Sequence, residues 1–501
     1  MHCVVLAPGA ARVDLAGLDL ADARQRAATA WRERLGELRI DLPVAANDVW
    51  LTLRTAAAHI LVNRDGPRLQ PGPRRYTRVY LRDAIGMGTA LARVGQVQPL
   101  RDVLDWYRVH QRSDGELPDC VDDQGAEWLP EFDAYGQFMH GVAEAQRLAP
   151  ESAFLTRLWP HVALAVAKFG ALRAPRTTDE YRAKARSARY GLLPESMSHE
   201  GYMAQPVHAY WDDFWALRGL RDAAWLATQL DQHTEAKRLT ALAAEFAIDL
   251  HASLEQTMAD HGIDFLPGSV ELGDFDATAI AIALTVADEG ADLPQPALHA
   301  TFDRYLAIRD ARAASSDWSN YSAYEVRIVG ALLRLGRRAD ALRVLRGLLD
   351  DCRPPAWRQW PEQSWRDYEA PAFLGDLPHS WIGAEYIHAV LGLFAHERRA
   401  DESLVLAAGI DAAWLNGDAG IAVRELPTHY GMLSYRLRRL DARSLEMHID
   451  AGLALPPGGL QLAPPLPGAL RAVRLNGVTH HAFDAAQCCC RTLPAHVIFS
   501  C

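Results

Sequence analysis

Apolar residues recur at helical spacing along most of the chain, from about residue 44 to residue 400. Spacings of i, i+3 and i+4 predict amphipathic helices, and Gly, Pro, Asp or Ser occupies most of the breaks between them. Each helix falls within the length range of globular proteins. The pattern predicts twelve helices, near 44–62, 78–94, 97–112, 133–147, 152–171, 208–229, 233–258, 275–288, 295–308, 321–335, 338–351 and 380–397.

Every second helix begins with a cluster of aromatic, acidic and small residues, which gives a loose repeat of about 45 to 75 residues. Six helical hairpins can close into a double ring, with six inner helices inside six outer ones. An open solenoid also repeats, but it does not need six such clusters at one end. We therefore expect a mainly α fold, an (α/α)6 barrel whose mouth gathers the clusters. They lie at 80–83, 131–137, 210–213, 274–278, 320–325 and 378–381.

The two ends of the chain follow other patterns. Residues 1–43 do not form a compact unit, and we expect an N-terminal remnant with a linker helix, ahead of a barrel over 44–400. Short alternating runs between Gly-, Pro- and Asp-rich turns predict a small antiparallel, β-sandwich-like domain over 401–478. Residues 479–501 match no regular element, so an irregular tail is expected.

Composition excludes some partners. The 501 residues are 49% hydrophobic and 23% charged, as in ordinary globular proteins. A net charge of −11 argues against nucleic acid as a partner. No apolar run approaches the roughly 20 residues that cross a membrane, and the first residues lack the basic start of a signal peptide. A cytoplasmic location is the default expectation, secretion stays open if the N-terminus is incomplete, and the oligomeric state is not indicated.

Metal and cofactor sites are not predicted. The seven cysteines include no CxxC pair and no zinc-type spacing. His199 and His208 lack carboxylate or cysteine partners at the spacing of metal ligands. We expect neither a metal ion nor another cofactor.

The candidate chemistry lies around two carboxylate sites. Residues 208–218 place four aromatic rings around Asp212 and Asp213, of which only one can face the barrel axis, since helix neighbours point about 100° apart. Glu369 precedes the twelfth helix, on the opposite side of a six-hairpin ring. Opposed carboxylates suit glycoside hydrolysis by a general acid and a general base. The structural alternatives are an amphipathic helix with two solvated aspartates, and a Glu369 paired with Arg366.

On these residues the chain resembles the six-hairpin glycosidases, the (α/α)6-barrel group that includes glucoamylases and trehalases, over about residues 45–400. Arg82-Asp83 matches the Arg-Asp with which glucoamylases hold the innermost sugar. Trp211-Asp212-Asp213 resembles their Trp-Glu-Glu, whose first acid donates the proton. Glu369, about ten residues before Ser380-Trp381, resembles their catalytic base.

The resemblance implies an inverting, exo-acting glycosidase with a carbohydrate substrate and no cofactor. Asp212 would be the proton donor and Glu369 the base, while Arg82 and Asp83 would hold the terminal sugar. Asp stands where glucoamylases have Glu, as it does in trehalases, which leaves the substrate open. Residues 191–218 and 368–385 also resemble large bacterial proteins of this class. Those carry more N-terminal sequence, so this chain is expected to be shortened at its start.

Weaker assignments complete the predicted site. Glu200 is a candidate sugar contact or a competing proton donor, and helix capping or packing explains Asp133, Asp276 and Tyr324 almost as well as a role at the mouth. His379 contacts substrate or caps a helix. The expected substrate contacts beyond Arg82 and Asp83 are Trp211, Asp213, Trp215, Glu200, Tyr210, Asp133 and Trp381.

Two other functions stay open at this point. A carbohydrate lyase or epimerase on the same barrel needs a Tyr or His base, for which Tyr210, His199 and Tyr324 are candidates. A glycan-binding protein that retains the barrel without turnover is the second alternative.

Overall fold

The computed structural model describes residues 19–183, 187–199, 201–315, 317–367 and 374–501. Its α-helices are α1 (Leu20–Arg34), α2 (Asn47–Asn63), α3 (Leu81–Arg93), α4 (Gln98–Tyr107), α5 (Asp133–Leu148), α6 (Ser152–Arg173), α7 (Asp179–Arg182), α8 (Tyr210–Gln229), α9 (His233–His261), α10 (Ala277–Thr285), α11 (Gln295–Ala314), α12 (Arg327–Arg334), α13 (Arg338–Asp350) and α14 (Ser380–Phe394). None of them is long and apolar enough to cross a membrane.

The strands are short and concentrate after residue 394. They are β1 (Arg39–Asp41), β2 (Val79–Tyr80), β3 (Cys120–Asp122), β4 (Gly125–Glu127), β5 (Asn320–Ser322), β6 (Gln363–Trp365), β7 (Ala395–Arg398), β8 (Ser403–Leu406), β9 (Ile421–Thr428), β10 (Gly431–Arg439), β11 (Ser444–Ile449), β12 (Leu460–Leu462), β13 (Ala472–Leu475), β14 (Val478–His480), β15 (Cys488–Cys490) and β16 (Ala495–Ser500).

Six helices form a closed inner ring, in which α3, α5, α8, α10, α12 and α14 each contact the next and α14 contacts α3. The outer helices α2, α4, α6, α9, α11 and α13 pack against them. The inner helices are buried on nearly all sides because they lie between the outer ring and the barrel axis; α5 and α8, for example, are buried over most of their length. The predicted (α/α)6 barrel is confirmed.

The two ends of the barrel differ in the length of their connections. Each inner helix from α3 to α12 passes to its outer partner through a short connection, as at 94–97, 149–151 and 230–232. The connections from each outer helix to the next inner helix are long, and they contain β2 to β6 and the short helix α7. The N-termini of the inner helices therefore meet beneath the long loops, which build the mouth of the barrel.

A β domain follows α14. Seven strands form one sheet in the order β1-β9-β10-β11-β16-β13-β14, and four form a second in the order β15-β12-β8-β7. All pairs are antiparallel except β8 with β12, which is parallel. The β-rich region expected after residue 400 is present, with β7 beginning at Ala395.

Both ends of the chain contribute to these sheets. The prediction of an irregular tail over 479–501 is wrong, because β16 lies between β11 and β13 inside the large sheet and β15 lies at the edge of the smaller one. Strand β1, from the segment expected to be only a remnant and a linker, pairs with β9. Sheet partners this distant in sequence are set by tertiary packing, which local propensity does not report.

Buried charges join the β domain to the short-loop end of the barrel. Glu144 of α5 accepts from Arg93 of α3 at 2.8 Å. It also lies 2.8 Å from Nε2 of His429, in the turn between β9 and β10. The Glu144 side chain is almost fully buried. Such pairs are stabilising only while both partners are present.

A second buried carboxylate, that of Glu289, lies at the same end of the barrel, and its contribution to stability can be tested by lowering the pH. Glu289, in the connection between α10 and α11, interacts with Arg221, His251 and Arg399. Burial alone would raise the pKa of Glu289, but hydrogen bonds from His251 and Arg221 outweigh it and lower the pKa to about 2. Its stabilising contribution is therefore complete above the ordinary pKa of 4.5 and is lost as the pH falls toward 2.

We expect Glu289→Gln to reduce the free energy of unfolding by about 3 kcal/mol at pH 7. The difference from the wild type should shrink as the pH falls below 4.5, because Glu289 then becomes protonated in the unfolded wild type while it stays ionised in the folded protein until the pH approaches 2. Urea unfolding at a series of pH values measures both effects. Glu235→Gln, which removes a partly exposed surface partner of Arg238, is the control and should change stability by less than about 1 kcal/mol. A difference independent of pH would contradict the assignment.

Candidate active site

The mouth is centred on Trp211, in the first turn of α8. Its indole N–H donates to Oδ2 of Asp133, the first residue of α5, at 2.7 Å. Gln137, one turn further along α5, donates to the same oxygen at 2.8 Å. Trp211 and Asp133 are both about 1% exposed. Two predicted site residues are thus joined by a direct hydrogen bond between adjacent inner helices.

Arg82 of α3 adds a positive charge to this pair. Its guanidinium donates to Glu131 at 2.6 Å and lies 3.6 Å from Asp133. Nε lies 3.9 Å from Asp83, so three carboxylates surround one buried cation. Burial raises the pKa of Asp133, and the charge of Arg82 opposes this rise. The predicted Arg82-Asp83 pair is therefore found at the mouth, together with Glu131 and Asp133.

Arg327, the first residue of α12, lies between two tryptophan rings. Its guanidinium carbon is 4.8 Å from the ring centroid of Trp211 and 4.9 Å from that of Trp381, on α14. Tyr324 presents a third ring at 4.6 Å. Nε of Arg327 donates to Glu385 at 2.8 Å, and the indole of Trp381 donates to the same oxygen at 3.0 Å. Cation–π contacts and one shared carboxylate thus hold a layer across the ring from α8 to α14.

A cavity of about 120 Å³ lies along the barrel axis. Arg82, Trp211, Arg327 and Trp381 line it at the mouth end, and Glu397, after α14, lines it toward the β domain. The four side chains therefore form a floor that separates the mouth from the axial cavity. We call this set, Arg82, Trp211, Arg327 and Trp381, the floor layer.

Asp212, the predicted proton donor, is held by the loop that precedes α8. It accepts from Ser196 Oγ at 2.5 Å, from Ser198 Oγ at 2.9 Å and from the backbone N–H of Phe132 at 3.4 Å. Burial raises its pKa well above the ordinary value, and the charge of Asp133 adds to this effect, while the two serine hydrogen bonds oppose it. The carboxyl group thus lies beside Asp133 and favours its protonated form.

His199 covers the outer face of Trp211. The two rings are stacked, with centroids 4.8 Å apart and planes inclined by 11°. Burial lowers the pKa of His199 to about 4, so the imidazole is neutral at physiological pH. Its Nε2 lies 4.0 Å from Asp276, which caps α10 through the N–H groups of Thr278 and Ala279. His199 and Asp276 therefore extend the site from α8 toward α10.

Three predicted contacts do not face the mouth. The prediction for Tyr210 is wrong, because its hydroxyl bonds Ser253 and Thr257 of the outer helix α9, each at 2.8 Å. Asp213 accepts from the N–H of Leu193 at 3.0 Å, and burial raises its pKa to about 7; it faces that loop and not the Trp211–Asp133 pair. Trp215 lines the axial cavity beneath the floor layer. The same geometry removes Tyr210 as a candidate lyase base.

Two predicted carboxylates, Glu369 and Glu200, lie outside the described residues. The expected pair of Asp212 and Glu369 across the mouth therefore stays a prediction.

Sequence reasoning missed Arg327, Glu385 and the role of Glu131. A signal for two of them is present in helical spacing, since Arg327 follows Tyr324 by three residues and Glu385 follows Trp381 by four. The two residues of each pair therefore lie on the same side of an inner helix, where a polar side chain is not exposed to solvent. Charged residues at such positions indicate a site inside the ring.

No family model matches the sequence, and no curated protein is similar to it at a significant level. Solved structures do match. An alpha-L-rhamnosidase from Dictyoglumus thermophilum is 10% identical with a TM-score of 0.60, and the match covers 93% of this chain and 50% of that one. A Streptomyces avermitilis alpha-L-rhamnosidase complexed with L-rhamnose is 14% identical with a TM-score of 0.58, covering 93% and 42%.

A third match is the GH78 family rhamnosidase of Bacillus sp. GL1, at 14% identity and a TM-score of 0.57, over 88% of this chain and 43% of the other. The chain thus spans half or less of the length of these enzymes. At such low identity the likeness concerns the fold alone. The protein has the helical barrel and β-domain architecture that these glycosidases share.

Proposed function

We propose that the protein is a glycoside hydrolase that removes a terminal sugar from an oligo- or polysaccharide. The observation that carries the proposal is the Trp211–Asp133 pair with Asp212 beside it, where buried carboxyl groups of raised pKa lie next to aromatic rings at the mouth. An acid whose pKa is raised by burial stays protonated to higher pH and can donate its proton to a leaving oxygen. Its fold likeness to glycosidases supports the same function.

In the proposed reaction, Asp212 gives its proton to the glycosidic oxygen as the bond from that oxygen to the anomeric carbon breaks. A water molecule forms the new bond to the anomeric carbon and loses its proton to Glu369. The products are two free hydroxyl groups, and the proton on Glu369 returns to Asp212 through solvent. Attack from the face opposite the leaving group inverts the anomeric configuration.

Exo action is proposed from the resemblance to glucoamylases, and the floor layer is consistent with it. Arg327 between Trp211 and Trp381 closes the mouth toward the barrel axis. A polysaccharide could therefore enter by one end but could not thread through the ring. In this proposal, Arg82 and the carboxylates around it, at the floor, bind the hydroxyl groups of the terminal residue.

A terminal α-L-rhamnosyl residue is the first substrate to test, because two of the similar structures are named as alpha-L-rhamnosidases and one of these holds L-rhamnose. The experiment measures sugar release from aryl α-L-rhamnosides, rhamnose-containing oligosaccharides, α- and β-glucans and trehalose. We expect release of single sugars from one of these classes, with inversion at the anomeric carbon seen by proton NMR. An unsaturated product absorbing in the ultraviolet would indicate a lyase. Binding of a glycan without turnover would contradict the proposal.

A further inference from the structure

A group of metal-ligand side chains lies on the exposed face of the large β sheet, outside the candidate active site. It consists of Glu446 and His448 of β11 and His496 of β16. One ligand atom from each residue lies within 4.8 Å of the other two. Nε2 of His496 is 2.8 Å from Oε1 of Glu446, and Nε2 of His448 is 3.4 Å from the same oxygen.

The backbone places these side chains together. His448 and His496 are direct partners in the antiparallel ladder, and Glu446 precedes His448 by two residues. Since side chains alternate across a sheet, all three project from one face. The imidazole rings are stacked, with centroids 4.2 Å apart and planes inclined by 5°. Two imidazoles therefore approach one carboxylate oxygen from neighbouring strands.

We propose that Glu446, His448 and His496 bind one zinc ion. Two imidazoles and one carboxylate form a ligand set that zinc uses, with bonds of about 2.0–2.2 Å and tetrahedral angles that separate ligand atoms by about 3.3 Å. The two nitrogen-to-oxygen distances, 2.8 and 3.4 Å, lie on either side of that separation. Because the two imidazole planes are nearly parallel, at least one ring must turn about its side-chain torsions so that both Nε2 lone pairs point at the ion.

The neighbourhood of the site fits this assignment. Arg438, the ladder partner of Glu446 on β10, donates to the second carboxylate oxygen, Oε2. That bond orients the carboxylate and leaves Oε1 toward the histidines, which is the function of outer-shell partners in metal sites. The side chains of His448 and His496 are 49% and 39% exposed, so water can reach the fourth position.

Zinc at this site would tie the last strand of the chain to β11. β16 lies between β11 and β13, and its removal would divide the large sheet. Because the ion requires ligands from both strands, it binds the folded domain in preference to the unfolded chain and stabilises it by mass action. The sequence does not suggest the site, since Glu446 and His496 are 50 residues apart.

The test begins with the full chain stripped of metal by a chelator. Calorimetric titration with ZnCl₂ at pH 7.5 should give one zinc ion per chain at this site, and Co²⁺ should give the visible absorption of a tetrahedral complex. Thermal unfolding should shift to higher temperature with zinc. His448→Ala and His496→Ala should each weaken zinc binding at least tenfold and abolish the thermal shift.

His481→Ala is the matched control, because His481 is an exposed histidine of the same domain and is not one of the three proposed ligands. It should bind zinc as the wild type does. His496→Gln provides a second variant if His496→Ala does not fold. The proposal is overturned if the wild type does not bind zinc, or if both ligand variants bind it unchanged. Loss of binding only after alkylation of the cysteines would also overturn it.

Discussion

Replacement of Asp212 with asparagine is expected to lower kcat/KM on a natural glycoside by about 10²- to 10⁴-fold, the usual contribution of a general acid. The amide keeps the size of the side chain but has no proton to give. Burial and the charge of Asp133 raise the pKa of Asp212, so the wild type should keep its acid form to a higher pH than an ordinary aspartic acid and lose activity as the pH rises through that raised pKa. The variant should lack this alkaline limb of the pH profile.

Asp212 also holds the loop before α8 through Ser196 and Ser198, and a structural role could reduce activity by itself. The leaving group separates the two roles. In an aryl glycoside made from a strongly acidic phenol, the phenolate can leave without being protonated. Asp212→Asn should therefore retain much of the wild-type rate on such a substrate. A displaced loop would instead slow natural and activated substrates equally.

Ser196→Ala is the matched control, since it removes one hydrogen bond to Asp212 and leaves the acid in place. It should reduce activity modestly on both kinds of substrate and keep the alkaline limb. If Asp212→Asn retains full activity on natural substrates while Asp133→Asn loses it, the proton donor has been assigned to the wrong aspartate. A change of Glu369 to Gln should lower turnover with every leaving group, because the water must still be activated.

The barrel was predictable because it depends on features that are local in sequence. Apolar periodicity marks each helix, and the alternation of aromatic–acidic clusters marks the inner ones. All six cluster regions begin an inner helix or directly precede one in the structure. The β domain was predictable only in outline. β16 contains Val497, Ile498 and Phe499, which favour a strand, but its position inside the sheet depends on partners at least 20 residues away in the chain.

The residue types at the site could be predicted from the sequence, but the direction in which each side chain points was harder to predict. Arg82, Asp133, Trp211 and Trp381 lie at the mouth as expected, whereas Tyr210 points toward α9. The difference between Tyr210 and Trp211 is one residue, or about 100° of helix rotation. The rotation of α8 is set by its packing against α5 and α9, and adjacent aromatic residues do not reveal it.

A pair of glycines at the crossing of α5 and α8 sets how closely these helices approach. A Cβ atom on Gly136 would lie 2.1 Å from the backbone oxygen of Trp215 and 2.7 Å from the nitrogen of Ala216. On the facing helix, a Cβ on Gly219 would lie 2.6 Å from Cα of Gly136. The obstructing atoms are mostly backbone, so no side-chain rotation can relieve the overlap. The helices would have to separate.

Gly136→Ala is therefore expected to reduce the free energy of unfolding by about 3 kcal/mol or more, at the upper end of overpacking effects. Urea unfolding followed by circular dichroism measures this as a lower midpoint. The substitution should also reduce activity, because Asp133 lies one turn before Gly136 and its bond to Trp211 crosses the same interface.

Gly170 of α6 supplies the control, since it is exposed and a Cβ there would meet no atom within 4 Å. Helix propensity alone favours alanine over glycine by about 1 kcal/mol at both positions. Propensity thus predicts that both variants are more stable than the wild type, whereas the close crossing predicts a gain only for Gly170→Ala and a large loss for Gly136→Ala. The sign of the change at Gly136 decides between them. A midpoint at or above that of the wild type would mean that α5 and α8 are further apart than this structure places them.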